Sequence, residues 1–307
     1  MSEQVQNVMS VRNLSKVFKS GVFKPKYTVA VQDVSFDIKP GTIISLIGES
    51  GSGKTTIGKL ILKLIKPSSG KIYYKGKDIE EIRNKDELKE YYKKVQGIFQ
   101  DPFATFNPLY RVDRIFDMIY DSFGYDKSNK EERIHQVLQD VNLVPERTLG
   151  KFPHQLSGGQ LQRLLIARAL LMDVDVLIAD ELISMLDAST RIGVLNLLVE
   201  LTEKKGMSVI FITHDLNLGY YISDESLIMY KGRLVESGDT KKIYESPVHP
   251  YTKMLFNSVP EIGKRWDPEE EFLPEQVIKD VEEFYKENAG KGFAAAGENH
   301  YVLYSID

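Results

Sequence analysis

The segment 48–55 constrains the fold of this chain more than any other part of its sequence. It reads Gly-Glu-Ser-Gly-Ser-Gly-Lys-Thr and matches the pattern Gly-x-x-x-x-Gly-Lys-Ser/Thr in full. An apolar, β-branched run at 42–47 precedes it, and apolar residues at helical spacing follow it over 55–66. A buried strand, a glycine-rich loop and a helix in this order surround an anion with backbone N–H groups and a positive dipole end. The sequence therefore predicts a phosphate-binding loop.

Each residue type in this loop has a chemical reason. Glycines let the backbone curl around phosphates without a Cβ in the way. Lys54 reaches the β- and γ-phosphates of a nucleotide as a point charge, and the Thr55 hydroxyl can ligate Mg²⁺. The predicted nucleotide-binding residues of the loop are Gly48, Glu49, Ser50, Gly51, Ser52, Gly53, Lys54, Thr55 and Thr56.

A second candidate site follows the apolar strand predicted at 174–179. That strand delivers Asp180 to the carboxyl edge of a sheet, where enzymes with such a loop hold Mg²⁺, and Glu181 comes next. Glu181 has the reach to polarise a water opposite the γ-phosphate. The alternative interpretation is a solvated acidic turn after a strand, which the complete phosphate-binding loop makes less favourable.

Strand and helix patterns alternate at both ends of the chain, with a helical stretch between them. This alternation predicts an α/β fold with a P-loop NTPase (RecA-like) core and an antiparallel β subdomain. A helical subdomain is inserted at about 96–160. The predicted strands are 28–38, 42–47, 71–75, 174–179 and 207–213, with a closing hairpin at 225–236. The predicted helices are 55–66, 80–95, 111–145, 157–172 and 188–205.

The composition changes after about residue 245, where prolines begin to punctuate the chain. We therefore place a nucleotide-binding domain at 1–245 and a small C-terminal extension at 246–307. Within the extension, 275–288 has the pattern of an acidic helix. The apolar face of that helix consists of Val277, Val281, Phe284 and Tyr285.

Composition and charge exclude several functional classes. The formal charge is −4 and Lys and Arg are spread along the chain, so no basic patch favours a nucleic-acid partner. The absence of cysteine excludes disulfides, thiolate zinc sites and Cys-ligated iron–sulfur clusters. No signal-peptide pattern opens the chain, and no run approaches the roughly 18 apolar residues of a spanning helix. A membrane role would have to come through a partner chain.

The run Leu156-Ser157-Gly158-Gly159-Gln160 resembles the LSGGQ signature of ABC-type ATPases, and it lies shortly before Asp180 as in that family. Ser157 can cap the helix that follows, while the two glycines leave its N-terminus open to phosphate. The resemblance implies that Ser157, Gly158, Gly159 and Gln160 face the γ-phosphate of ATP bound by another subunit.

The same resemblance assigns further residues. Gln100 resembles the Q-loop glutamine, which links Mg²⁺ and the attacking water to the helical subdomain. Asp187 resembles the D-loop aspartate that crosses the dimer interface, and His214 resembles the switch histidine that contacts the γ-phosphate and orients the catalytic glutamate. The implied catalytic residues are Glu181, His214 and Gln100. The implied Mg²⁺ ligands are Thr55, Gln100 and Asp180.

Two further positions are compared with the family pattern: the aromatic residue that stacks on adenine and the residue that follows the catalytic glutamate. An aromatic residue upstream of the loop usually stacks on adenine in this family, and we choose Phe18 over its rivals Phe23 and Tyr27. The family usually has proline after the catalytic glutamate, whereas this chain has Leu182. Because proline would stiffen that turn, its replacement predicts a looser D-loop without loss of hydrolysis.

Three segments resemble the peptide/oligopeptide importer branch of the family, some of whose members carry oligosaccharides or nickel: FQDPFATFNP (99–108), FPHQLSGGQ (152–160) and SPVHPYTKMLF (246–256). Many members hold an iron–sulfur cluster in a cysteine-rich C-terminal segment, and this chain lacks those cysteines. The sequence assigns no chemistry to His249-Pro250-Tyr251.

The resemblance implies an ATP-binding and ATP-hydrolysing subunit that powers an importer from the cytoplasmic face of the membrane, with ATP and Mg²⁺ as its cofactors. Its implied partners are two transmembrane permease subunits, a second nucleotide-binding subunit, identical or paralogous, and an extracytoplasmic substrate-binding protein. The alternative is an ABC ATPase that acts in DNA repair, on chromosomes or in translation instead of transport. The sequence argues against this alternative because it has no long coiled coil, no cysteine and no second cassette. A third interpretation is a regulatory or inactive cassette, suggested by Leu182.

Overall fold

The computed structural model describes residues 7–21, 24–258 and 274–306. Phe23, one of the candidate adenine-stacking residues, lies outside these ranges, as does the stretch 259–273 of the C-terminal extension. Within the described ranges, no helix combines the length and the apolar character that crossing a bilayer requires.

The strands and helices follow the alternation that the sequence predicts. The strands are β1 (Met9–Ser20), β2 (Lys26–Ile38), β3 (Ile43–Ile47), β4 (Ser69–Tyr74), β5 (Lys77–Asp78), β6 (Val95–Ile98), β7 (Val176–Asp180), β8 (Ser208–Thr213), β9 (Glu225–Tyr230), β10 (Arg233–Asp239), β11 (Phe293–Gly297) and β12 (His300–Leu303). The helices are α1 (Lys54–Ile61), α2 (Lys85–Lys94), α3 (Pro102–Thr105), α4 (Arg114–Phe123), α5 (Lys130–Asp140), α6 (Pro145–Thr148), α7 (Gly158–Leu170), α8 (Ala188–Lys205), α9 (Leu216–Ile222), α10 (Thr240–Glu245), α11 (Pro250–Asn257) and α12 (Pro274–Glu287).

The chain forms two compact units. The first comprises the described residues 7–9, Ile38–Thr42 and Tyr74–Ile210. The second comprises the described residues of 10–37, Ile43–Tyr73 and the described residues from Phe211 onward. Each unit is assembled from separate stretches of sequence, and the domain boundary at residue 245 stays a prediction.

The first unit contains the inserted helices and two parallel strands. Strand β7 is buried at all five positions and pairs in parallel with β6, with Ile98 opposite Ala179. The helix expected over 111–145 is divided into α4 and α5. Gly124 ends α4 in the left-handed conformation, and its N–H donates to Tyr120 O, which is a common helix stop.

The second unit contains a mixed sheet whose strands lie in the order β3-β9-β10-β12-β11. Strand β3 pairs in parallel with β9, whereas β9 with β10, β10 with β12 and β12 with β11 are antiparallel pairs. All five residues of β3 are buried, as expected for a strand covered on both faces. Helix α1 follows β3 after the loop and ends at Ile61, earlier than its predicted end at residue 66.

The described residues of the C-terminal extension form part of this second unit. Val277 and Val281 of α12 are buried in one core cluster with Ile47 and Tyr251, and Tyr285 packs against that cluster, which confirms the predicted apolar face. The last residues form the β11–β12 hairpin, which the sequence did not predict, and β12 places His300 opposite Gly238 of β10. The extension therefore adds strands to a sheet that also carries the phosphate-binding loop.

Candidate functional site

The phosphate-binding loop connects β3 to α1 in the second unit, as predicted. Gly48 and Gly53 have φ angles of 155° and 108°, and both lie against backbone. A Cβ at Gly48 would fall 2.2 Å from Met229 O, and one at Gly53 would fall 2.3 Å from Ala30 O. Because a methyl group cannot fit at either distance, the loop path requires glycine at both positions.

Lys54 begins α1 and is only 6% exposed. Its ammonium donates to Gly48 O at 2.6 Å and to Glu49 O at 2.7 Å, so the side chain is folded back along the loop. Glu49 and Ser50 remain exposed, as does Thr55 in the first turn of the helix. A tightly curled backbone with a held ammonium group is the donor set that a nucleotide phosphate needs, so these residues fit the predicted ligand.

Three of the predicted residues lie at the same end of two paired strands in the first unit. Asp180 ends β7 and is 6% exposed, and Glu181 follows it. Gln100 lies two residues beyond the end of β6, which runs parallel to β7 with Ile98 opposite Ala179. Because the carboxyl ends of parallel neighbours face the same way, this edge collects an amide and two carboxylates, which are ligands suited to Mg²⁺.

The turn after Glu181 is held without proline. Glu181 has a φ of 49°, and its carbonyl accepts from the N–H of Ser184 at 3.1 Å and from the Ser184 hydroxyl at 3.0 Å. Leu182 is fully buried. Arg191 donates from Nε to Leu186 O at 2.7 Å. Hydrogen bonds and a buried side chain thus fix this turn, which has no proline to stiffen it.

The signature run opens α7 in the same unit. Ser157 Oγ accepts from the N–H of Gln160 at 3.3 Å, and Gln160 Oε1 accepts from the N–H of Ser157 at 2.9 Å. This reciprocal pair is a capping box, and it confirms that Ser157 caps the helix. A Cβ at Gly159 would fall 2.3 Å from Thr190 Cγ2. The second glycine is therefore needed for packing against α8, a reason that the sequence did not reveal.

Asp187 is the N-cap of α8. Its carboxylate accepts from the N–H of Thr190 at 3.0 Å and from the hydroxyls of Ser189 and Thr190 at 2.6 Å each. These hydrogen bonds hold the pKa of Asp187 well below its usual range, because they favour the ionised form. The exposed carboxylate carries full charge at the N-terminus of α8, beside the signature helix. Its role at an interface stays a prediction.

His214 lies in the second unit, between β8 and α9, and is exposed. The next residue, Asp215, caps α9 by accepting from the N–H of Leu218 at 3.3 Å, while its own N–H donates to Thr213 Oγ1 at 2.9 Å. These bonds fix the backbone on both sides of the histidine. An exposed imidazole on a fixed backbone is suited to contact a ligand.

The structure does not single out which aromatic side chain stacks on adenine. Phe18 of β1 is 41% exposed and Tyr27 of β2 is 62% exposed, so both rings are accessible. The Lys16 ammonium lies 5.1 Å from the centroid of the Phe18 ring, a cation–π arrangement. Phe18 remains our prediction.

Sequence reasoning missed one residue at the loop. The N–H of Glu49 donates to the hydroxyl of Tyr251, from α11, at 3.0 Å. The only signal was the His-Pro-Tyr run at 249–251, which carried no recognisable chemistry by itself.

Comparison with known proteins finds two family models and many transport proteins that match this chain. Residues 31–184 match the family model described as ABC transporter, and residues 235–296 match the model of the oligopeptide/dipeptide transporter C-terminal region. The oligopeptide transport ATP-binding protein OppF of Bacillus subtilis (strain 168) is 41% identical over 258 residues, which cover 83% of each chain. The dipeptide transport ATP-binding protein DppF of Haemophilus influenzae is 39% identical over 248 residues, covering 80% of this chain and 75% of that one.

Solved structures share the fold. CbiO1 from Clostridium perfringens, part of the ABC transporter complex cbiONQ, aligns with a TM-score of 0.68 and 25% identity over 78% of this chain and 92% of that one. The ATP-binding cassette MJ0796, in a dimeric post-hydrolysis state bound to ADP and Pi, aligns with a TM-score of 0.66 and 28% identity over 76% of this chain and 98% of that one.

Proposed function

Because this chain belongs to the ATP-binding subunits of ABC transporters, of the oligopeptide and dipeptide importer type, we propose that it hydrolyses ATP to drive the uptake of short peptides. The observation that carries this proposal is the loop 48–55, with its tightly packed glycines and its buried Lys54. The curated relatives transport oligopeptides or dipeptides, which favours peptides over the oligosaccharides that some members of the branch carry.

The site residues divide the chemistry among them. Lys54 and the N–H groups of the loop bind the phosphates, while Thr55, Gln100 and Asp180 would hold Mg²⁺. The metal, when bound, neutralises charge that develops on the phosphate oxygens. Glu181 polarises the attacking water by accepting a hydrogen bond from it, as a general base does.

His214 completes this arrangement by contacting the γ-phosphate and orienting Glu181. The exposed imidazole and the hydrogen bonds of its neighbour Asp215 support this role. A fixed backbone keeps the ring ready for a ligand, which lowers the entropic cost of reaching the reactive geometry.

The signature run is the reason for proposing a dimer. The capped N-terminus of α7 is a second phosphate-binding feature, and its Ser157 is exposed. Because the loop 48–55 already serves the ATP of its own chain, we assign the signature to ATP held by a second nucleotide-binding subunit. That subunit is a second copy of this chain or a paralogue, and the relative MJ0796 was solved as a dimer.

Apolar residues shortly after Gln100 support a membrane partner. Large side chains are exposed there: Phe103, Leu109, Tyr110 and Met118, with Leu109 at 80%. Clusters of exposed apolar residues mark interaction surfaces. We assign this surface to two permease subunits at the cytoplasmic face of the membrane, which work with an extracytoplasmic substrate-binding protein.

Replacing Glu181 with Gln tests the proposed hydrolysis. The amide keeps the size of the side chain but cannot act as a base, so turnover should fall by at least about 100-fold. Calorimetry should show that Glu181→Gln still binds ATP, and size-exclusion chromatography with ATP should show a trapped dimer.

The matched control for this test is Glu203→Gln, which makes the same change on the exposed face of α8 and should leave turnover unchanged. Undiminished steady-state ATPase activity in Glu181→Gln would refute the role of Glu181.

A further inference from the structure

A tyrosine far along the chain contacts the phosphate-binding loop. Tyr251, in the first turn of α11, is fully buried, and its hydroxyl accepts the N–H of Glu49 at 3.0 Å. Burial raises the pKa of Tyr251, so the hydroxyl stays neutral. Glu49 is the second residue of the loop, and its backbone is therefore fixed by an element outside the motif.

The peptide that Tyr251 fixes also orients the loop lysine. The carbonyl of Gly48 belongs to the same peptide unit as the Glu49 N–H, and it accepts from the Lys54 ammonium at 2.6 Å. The carbonyl of Glu49, in the next unit, accepts from the same ammonium at 2.7 Å. A chain of hydrogen bonds thus runs from Tyr251 through the Gly48–Glu49 peptide to Lys54. Any shift of that peptide moves an oxygen that positions the charge for the nucleotide phosphates.

Tyr251 is itself held from two sides. Its ring packs on Tyr230 of β9, with centroids 4.2 Å apart and planes inclined by 30°. Its N–H donates to Nδ1 of the buried His249 at 3.2 Å. Because Nδ1 accepts this bond and burial lowers the pKa of His249 to about 3, the ring is neutral and carries its proton on Nε2. That proton is directed at the Tyr285 hydroxyl of α12, 3.2 Å away.

A buried carboxylate ties the start of α11 to the hairpin. Glu236 of β10 is fully buried and accepts from the N–H of Val248 at 2.9 Å and from the N–H of His249 at 3.1 Å. His300 of β12 places Nε2 2.6 Å from Glu236 Oε1. The position of Tyr251 therefore depends on strands and a helix of the C-terminal region that do not belong to the loop motif.

We propose that Tyr251 is a positioning residue of the nucleotide site, through which the C-terminal extension holds the phosphate-binding loop in its binding conformation. This inference rests on the proposed function, since it needs a nucleotide at the loop. A loop fixed before binding loses less entropy when the ligand arrives.

The test is Tyr251→Phe in the full-length chain, with ADP as the probe. Phenylalanine keeps the ring on Tyr230 and removes only the hydroxyl that accepts from Glu49. We expect the dissociation constant for ADP to rise about 3- to 10-fold, the range of one net hydrogen bond. Amide hydrogen exchange of the loop should accelerate, and KM for ATP should rise more than kcat falls, because the lost interaction acts on binding.

The matched control is Tyr244→Phe. The Tyr244 hydroxyl donates to Leu216 O at 2.6 Å, and its ring packs against the same core cluster, so this change removes a comparable bond away from Glu49. It should lower the melting temperature about as much as Tyr251→Phe does and leave the ADP affinity unchanged. The inference is overturned if Tyr251→Phe binds ADP as the wild type does, or if Tyr244→Phe weakens ADP binding equally.

A third variant separates this inference from the proposed function. Lys54→Ala removes the phosphate-binding charge and should abolish nucleotide binding. If Lys54→Ala loses binding while Tyr251→Phe keeps it, the nucleotide site stands and the positioning role fails. If Lys54→Ala binds and hydrolyses ATP normally, the proposed function fails as well.

Discussion

Gly159 has a packing requirement in addition to its place in the signature. Its Cα lies so close to α8 that a Cβ would fall 2.3 Å from Thr190 Cγ2. Thr190 cannot rotate away without cost, because its hydroxyl donates to Asp187 at 2.6 Å. The absence of a side chain at position 159 therefore lets the signature helix α7 pack closely against the first turn of α8, which Asp187 caps.

This contact predicts whether a substitution at position 159 stabilises or destabilises the chain. Alanine normally stabilises a helical position relative to glycine by about 1 kcal/mol, but Gly159→Ala should destabilise the chain by about 1–3 kcal/mol through overpacking. Thr190→Ser removes the obstructing methyl group and keeps the hydroxyl for Asp187, so the double variant should recover most of the loss. Chemical denaturation of the three variants measures this, and a double variant no more stable than Gly159→Ala would contradict the packing explanation.

At the scale of elements, α11 is capped by an unusual residue. His249 is its N-cap and accepts the N–H of Tyr251 through Nδ1. Burial, reinforced by the Lys253 ammonium, lowers the pKa of His249 from 6.5 to about 3. The groups around the ring are Tyr285, whose pKa burial raises to about 12, and Glu236, which accepts the His249 N–H. The folded chain therefore keeps His249 neutral where the unfolded chain protonates it.

This difference predicts how the stability depends on pH. Between the unfolded pKa of 6.5 and the folded pKa of about 3, the unfolded state binds one proton more than the folded state. The stabilising contribution of neutral His249 to the free energy of unfolding is therefore complete above pH 6.5 and is lost as the pH falls through this range. His249→Asn replaces the ring-nitrogen cap with an amide-oxygen cap and cannot titrate. From about pH 6 to about pH 4.5, the free energy of unfolding of the wild type should fall about 2 kcal/mol more than that of the variant. Parallel urea titrations check this, and equal falls would contradict it.

At the scale of the whole molecule, the proposed shared site makes a prediction about mixed assemblies. In the proposed dimer, each ATP lies between the loop of one chain and the signature of the other. A complex of one Lys54→Ala chain and one Ser157→Arg chain keeps one intact site, which combines the loop of the Ser157→Arg chain with the signature of the Lys54→Ala chain. Complexes holding two copies of either variant have no intact pair. Mixing should therefore restore part of the ATPase activity that each variant lacks alone.

The control for that experiment is a complex carrying both substitutions in one chain beside a wild-type chain, which has no intact shared pair. If that complex were active and the mixture inactive, each chain would complete its own site, and the dimer mechanism would be wrong. Restoration in the mixture would further indicate that identical chains pair.

The family could be read from the sequence, and the candidate site residues could be predicted from it, because their signals are local. The loop 48–55, the strand that delivers Asp180 and the capping box of Ser157 each depend on residues within a few positions of one another. Helix α8 matched its predicted bounds of 188–205, since Asp187 caps it and Gly206 ends it. The sequence therefore indicated both the fold class and the chemistry.

Contacts between distant residues were decided only by the tertiary structure. Residues 290–306 lack a long apolar run, and the β11–β12 hairpin forms because β12 pairs with β10. The glycine requirement at 159 depends on α8 packing against α7. Tyr251 reaches Glu49 across 202 positions of the chain. No periodicity or local propensity encodes such a separation, because the contact exists only once the sheet has brought α11 beside the loop.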